Sequence, residues 1–164
     1  MTQGPRPPDD LNVREGQAAD IQPIVALWRT SMAQHAQKHP IFTPKADGHI
    51  AFEGFLAEHM AVNDAAVVVA EAGGEIVGYG ICQLRRRPAC FEPLEHGLIT
   101  DLEVAASHRR RGVGELILGA LCNWLAGRGL TRVEIEVAAA NEIAVSFWRK
   151  WGFETYCQTM GRTL

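Results

Sequence analysis

Three consecutive arginines, Arg109, Arg110 and Arg111, run directly into Gly112-Val113-Gly114. This combination is suited to gripping an anion. Guanidinium groups offer charge-assisted hydrogen bonds, and glycines let main-chain N–H groups approach a ligand closely. The flanks fit the same purpose: residues 97–104 are β-like, and residues 113–125 set Leu116, Ile117, Ala120, Leu121, Trp124 and Leu125 at helical spacing. A strand, a glycine turn and a helix in that order aim backbone donors and the positive helix end at one point, where phosphate binds. Taken alone, the segment reads equally as a solvated, arginine-rich surface turn. Two common phosphate loops are excluded. No Gly-Lys-Ser/Thr follows, and the third glycine of a dinucleotide fingerprint is missing at its required offset.

A second pattern lies about thirty residues on: Asn141-x-x-Ala144-x-x-Phe147-Trp148-x-x-Trp151-Gly152-Phe153. Asn141 suits a helix N-cap. Ala144, Phe147, Trp148 and Trp151 then share one helical face, and Gly152 is a stop signal. Phe147 and Trp151 read as core residues. Asn141 and Trp148 read as either packing or ligand-facing groups.

Together these residues resemble the GNAT superfamily of N-acetyltransferases. Arg109-x-x-Gly112-x-Gly114 is similar to its acetyl-CoA pyrophosphate signature. Leu102-x-Val104 before it, and Ile135-Glu136-Val137 followed by the Asn141–Phe153 pattern after it, match the other motifs in order and spacing. The resemblance is strongest over residues 97–153. It implies an α/β (α+β) fold with a mixed, mostly antiparallel, twisted sheet, helices on both faces, and strands four and five splayed around the cofactor. It implies acetyl-CoA as acyl donor, with no metal, and direct transfer to an amine in a ternary complex. The cofactor would pair with the backbone of Leu102 and Val104, and a fourth-strand N–H, best Val104, would face the thioester oxygen. The pyrophosphate would rest on the amides of Arg109, Arg110, Arg111, Gly112, Val113, Gly114 and Glu115. Asn141 would bond the pantetheine arm, with Ala144 and Trp148 of the last helix also on the cofactor side.

Amine acetylation sets two chemical demands. An alkylamine with a pKa of about 10.4 must lose a proton, a cost of roughly 4–5 kcal/mol at neutral pH. The oxyanion formed on the thioester must also be stabilised. Family members often carry a carboxylate or His where this chain has Thr100, which cannot act unaided as a base. Asp101 and Glu103 flank it; by strand alternation they face the other side unless a β-bulge re-aims one of them. A solvated edge is the plain alternative for each. Glu136 and a water chain are further options. Trp148 departs from the Tyr that many relatives use to protonate the thiolate, since indole is no acid in that range. This departure and Thr100 motivate a competing reading as a non-catalytic acyl-CoA sensor or interaction module.

The elements that must position these groups are legible in outline. Residues 11–15 form a first strand, and a first helix starting near Asp20 buries Ile21, Ile24, Val25, Trp28 and Met32. A proline-bounded loop, 39–44, leads to a second helix carrying Phe52, Phe55, Leu56 and Met60. Strands 66–70 and 76–84 form a hairpin through Gly73-Gly74. A connector, 85–93, precedes strand 97–104. After the third helix come strand 132–137, the fourth helix and a last strand over 153–160.

At 164 residues, 47% hydrophobic and 21% charged, the chain suits one soluble domain, 11–164, after a loose tail, 1–10. The tail has no hydrophobic stretch for a signal peptide, and no apolar run suits a bilayer. A net charge of −3 gives no reason to expect nucleic acid. Four cysteines, Cys82, Cys90, Cys122 and Cys157, show no paired spacing and read as free thiols of a cytoplasmic protein. His35 and His39 are spaced to share a helix face, but without a third ligand a substrate contact is the better reading than a metal. Arg85-Arg86-Arg87 reads as a solvated connector able to attract an acidic partner. His108 can help neutralise phosphate, with surface exposure as its default. The acceptor, whether a small-molecule amine or a protein amine, has no recognisable code in the 39–46 loop or the connector. A homodimer is common in such folds, and nothing in the sequence demonstrates one.

Overall fold

The structure, a computed structural model, describes residues 6–162. Its strands are β1 (Asn12–Glu15), β2 (Ala65–Ala72), β3 (Glu75–Arg86), β4 (Glu95–Val104) and β5 (Val133–Ile135). Its helices are α1 (Ile21–Lys38), α2 (Gly48–Ala61), α3 (Val113–Ala126) and α4 (Glu142–Lys150). The strands form one sheet in sequence order; every neighbouring pair is antiparallel except β4 and β5, which run parallel. The expected α/β sheet with helices on both faces is therefore present. Asp10 and Pro7 are not adrift from it. The Asp10 carboxylate accepts a 2.6 Å bond from the Gly73 amide, and Pro7 packs beside Gly112.

Three expectations are corrected. Residues 153–160 form no strand, because β5 has only three residues to template one. Tyr156 and Met160 in that segment are exposed, and Tyr156 is held by side chains alone, its hydroxyl 2.6 Å from Glu134 and its ring under the Arg132 guanidinium. Leu116 lies on the outer side of α3 while Leu118 is buried, so the apolar stripe is rotated from the one expected. Trp151 is exposed rather than core, since α4 ends at Lys150 and leaves it in the following turn.

The two faces of the sheet differ in construction. On one, α3 lies close to β3 and β4 because glycines clear its path. A Cβ on Gly80 would come within 2.6 Å of Ile117, and one on Gly97 within 2.5 Å of Leu125. Cys82, Ile99, Val104, Ile117, Leu121 and Trp148 build this core. On the other face, α1 and α2 lay Ile24, Val25, Phe52 and Leu56 over Val67, Val69, Tyr79 and Ile81.

Two irregularities in β4 set the geometry of its C-terminal half. Ile81 pairs with Asp101 while Cys82 pairs with Ile99, which leaves Thr100 as an inserted residue, a β-bulge. The parallel rungs to β5 run Gly97↔Val133, Leu98↔Glu134 and Ile99↔Ile135, then stop. From Thr100 to Val104 the β5 edge of β4 has no partner strand. This is the splay that the family resemblance implies.

Candidate active site

The chain after β4 makes a short turn (Ala106–His108), then passes through Arg110 at φ 58° and Gly112 at φ 79° into α3. Left-handed geometry is costly for an arginine and free for a glycine. Gly112 is the N-cap and has no side chain to satisfy the amides behind it. The first helical N–H with a partner is that of Leu116, 3.2 Å from Gly112 O. The amides of Gly112, Val113, Gly114 and Glu115 thus converge as open donors at the positive end of a fourteen-residue helix. Val113 is buried and anchors this turn. A Cβ on Gly114 would lie 3.6 Å from both Leu102 and Phe147, so the loop is seated on β4 and α4.

The arginines divide their roles. Arg109 turns back on the strand: its Nε donates to Val104 O at 2.9 Å and its Nη2 to Glu103 Oε1 at 2.9 Å. It clips the loop to β4. Arg110 and Arg111 make no side-chain hydrogen bond or ion pair among the described residues, and they remain available to an anion. Glu115 is paired with Lys150 of α4. His108 meets the neighbouring Ser107 hydroxyl at 2.9 Å.

Along the splay, the bond from Ala105 N to Val77 O makes the alternate residues Leu102 and Val104 turn their N–H and C=O groups away from β3, toward the gap. The Val104 N–H already has a partner, Glu103 Oε1 at 3.2 Å. Leu102 is the unencumbered position. Across the gap, Asn141 caps α4 through Ala144 N at 3.4 Å, and its Oδ1 also accepts from Lys38 Nζ at 3.0 Å. Ala144 is half-buried against the core. Trp148 is buried, edge-on to Phe147 and Phe153 with 5.1 Å between ring centroids in each case.

The bulge settles where the carboxylates point. Ile99 and Leu102 both face α3, so Thr100 and Asp101 between them both face the α1/α2 side. Glu103 faces that side too. It is held by three donors: Ser31 Oγ at 2.5 Å, Arg109, and the Val104 amide. Asp101 has fewer constraints. Burial raises its pKa above the ordinary carboxylate range, and the negative charge of Glu103 adds to this, while Thr100, His59 and His35 pull the other way. Thr100 Oγ1 lies near that carboxylate yet is buried without a hydrogen-bond partner. Tyr79 sits opposite Glu103, and burial pushes its phenol well above its usual value.

His35 Nδ1 meets Ser31 O at 2.9 Å. His39 does not share its helix face, because α1 ends at Lys38 and His39 caps the next turn by accepting from Ile41 N. Glu136 lies just past β5 and is exposed. The sequence reading missed Ser31 and Tyr79. Ser31 carried a signal, a polar residue seven positions after Ile24 on the buried stripe of α1. Tyr79 carried none beyond being an aromatic in a strand.

A strand that diverges from its parallel neighbour and ends in an open, glycine-turned anion loop defines a class: proteins that lay a phosphate-bearing ligand along a free strand edge. The model of the Acetyltransferase (GNAT) family matches residues 27–153. The chain belongs to that family and is an acyltransferase. It is similar to an N-alpha-acetyltransferase of Sulfurisphaera tokodaii, 24% identical over a 153-residue alignment that covers 88% of this chain and 81% of that protein. In fold it resembles a tetramutant of the BH1408 protein from Bacillus halodurans, with a TM-score of 0.81, 22% identity, and coverage of 93% of this chain and 99% of that one. It also resembles a predicted acetyltransferase from Clostridium acetobutylicum solved with acetyl-CoA, with a TM-score of 0.77, 16% identity, and coverage of 93% and 96%.

Proposed function

We propose that this protein moves the acetyl group of acetyl-CoA onto an amine by direct attack within a ternary complex. The observation that carries this reading is the pairing of two features on one strand. The open amides and free edge of β4 lie on the cofactor side, and Asp101 lies on the opposite, α1/α2 side. The diphosphate would rest on the amides of residues 110–115, the expected Arg109 amide being already bonded to Ala106 O, with Arg110 and Arg111 adding charge-assisted contacts. The pantetheine arm would follow Leu102 and Val104 and meet the amide nitrogen of Asn141, whose oxygen is already engaged.

Asp101 is the better base. A carboxylate whose proton affinity is raised by burial takes a proton from an ammonium more readily than an ordinary one. Glu103, tied by three donors, positions Val104 and Arg109. The free amine then attacks the thioester carbon; the N–C bond forms, the C–S bond breaks, and coenzyme A leaves as thiolate. Trp148 is enclosed in the core and supplies no proton, so water does. The products are the N-acetylated amine and the free thiol. Four unpaired cysteines fit a reducing, cytoplasmic setting.

Thiol release from acetyl-CoA across a panel of amines tests this directly. Release that requires an amine, yields its acetamide and falls with Asp101→Asn is the expected result. Tight acetyl-CoA binding with no amine-dependent release would move the protein to an acyl-CoA sensor.

A further inference from the structure

Beyond the α1/α2 helices, the same face of the sheet carries a charged cluster that acetyl transfer does not use. Glu134 of β5 is its centre, with a side chain only 12% exposed. Its Oε1 accepts from Arg87 Nη2 and, at 2.8 Å, from Arg132 Nε; its Oε2 accepts from Tyr156 at 2.6 Å and lies 3.3 Å from His96 Nε2. That carboxylate has no capacity left. Arg85 stands directly across the β3–β4 ladder from His96, on the same face, and forms no ion pair or hydrogen bond among the described residues. Two guanidinium groups therefore share one carboxylate, and a third, that of Arg85, stands beside His96 with no partner among the described residues. A structural ion pair needs one.

His96 adds an independent observation. Burial, foremost, and the three nearby arginines keep it neutral, against the opposing pull of Glu134. Its Nε2 faces the carboxylate, and its Nδ1 is buried with no partner. The cluster is also placed at the mouth of the splay. Glu134 pairs with Leu98, one rung before the last one that joins β4 to β5. Asp101 is three residues past the Glu134 rung, where Arg87 and Arg132 meet, roughly 10 Å at about 3.3 Å per residue, less the shortening of the bulge; Arg85, opposite His96, stands two residues further back.

We infer that Arg87 and Arg132, held by Glu134, together with the unpaired Arg85 form a subsite for an anionic group on the acceptor. The substrate class is an amine that also bears a carboxylate or phosphate within about 10 Å of its nitrogen. This rests on the reading of Asp101 as the group that meets the amine. Asp101 and Glu103 attract the ammonium end, and the guanidinium groups attract the anionic end, so a dipolar acceptor is aligned in one direction along the face. A polycation of the same length meets repulsion at its far end.

The test uses three acceptors of matched length: δ-aminovalerate, its primary amide, and cadaverine. We expect kcat/KM for the carboxylate to exceed that for the amide by at least about tenfold, the return of one charge-assisted contact, with cadaverine poorest. The preference should shrink as salt is raised. Arg85→Ala, at an exposed position with no partner to lose, should lower the carboxylate-to-amide ratio severalfold. A ratio at or below one, a preference for cadaverine, or a ratio that Arg85→Ala leaves unmoved would overturn the subsite. If none of the three is acetylated, calorimetric titration of each into the acetyl-CoA complex decides by the same ratio. Tighter binding of the carboxylate without turnover keeps the subsite and removes the transfer reading; equal or undetectable binding of all three removes the subsite.

Discussion

The two faces of the sheet follow opposite rules. Against α3, the strands offer glycine and aliphatic residues, and the contacts of β3 and β4 with the helix are close. Against α1 and α2, and on the bare sheet beyond them, the same strands offer Tyr79, His96, Asp101, Glu103 and Glu134, with Thr100 Oγ1 and His96 Nδ1 left without partners. One inserted residue makes this division. Without the bulge at Thr100, alternation from Ile99 would drive Asp101 and Glu103 into the packing of Ile117 and Leu121, where an unpaired charge is prohibitive. The comparison teaches that the α3 face packs glycine and aliphatic residues and seats the loop, while charged and orphaned polar groups gather on the other face, the one we propose an acceptor approaches.

That division can be broken from either side. The largest effect expected is on activity: Asp101→Asn should reduce kcat/KM by about 10²–10⁴, the usual worth of a general base. Because the carboxyl titrates above the ordinary range, the wild-type rate should rise with pH through that raised value, and the variant should lose this limb. Its stability should be unchanged or higher, since a buried charge has gone. Leu121→Ala is the mirror experiment. It should cost about 2–5 kcal/mol in urea unfolding, by removing a fully buried side chain packed against Gly80 of β3.

Glu134 sharpens the contrast through pH. Burial would raise its pKa, but hydrogen bonds from Arg132, Tyr156 and Arg87 bring it from 4.5 down to about 2. A depressed carboxyl contributes stability that is full above the unfolded value and disappears as pH falls toward the folded one. The contribution is on the order of 3 kcal/mol. The stability gap between wild type and Glu134→Gln should therefore close as pH falls from 4.5 to about 2. The smallest effect concerns Thr100. Replacing it with Val removes an orphaned hydroxyl at nearly constant volume and should raise stability by up to about 1 kcal/mol in the same assay.

Much of the fold and of the side proposed for the cofactor was legible because both obey local rules. A glycine at positive φ, an apolar stripe at helical spacing and an Asn cap are properties of a few neighbouring residues. Gly112, Ile117, Leu121 and Asn141 could be assigned from them. Errors arose where local pattern meets a helix end or a missing partner. Leu116 and Trp151 sit where the helical stripe begins or has already stopped, and 153–160 had strand-like residues but no edge long enough to pair with. The face proposed for the acceptor was less legible. The face of Asp101 depends on the register of β3, and the register shift leaves no mark in the residues themselves. Arg109 fits a phosphate-loop pattern, yet the chain turns its side chain onto Glu103. The Glu134 cluster draws on Arg87, His96, Arg132 and Tyr156 from four separate segments, so no spacing announces it.

The most direct test is calorimetric titration of coenzyme A into wild type and Gly114→Asp. The added Cβ meets only ordinary contacts at 3.6 Å, so the fold should persist, while a carboxylate is introduced among the open amides. We expect saturable one-to-one binding to the wild type and a loss of at least about 100-fold in the variant, equivalent to two charge-assisted hydrogen bonds. Equal affinity in a folded Gly114→Asp protein would contradict the placement of the diphosphate at the start of α3.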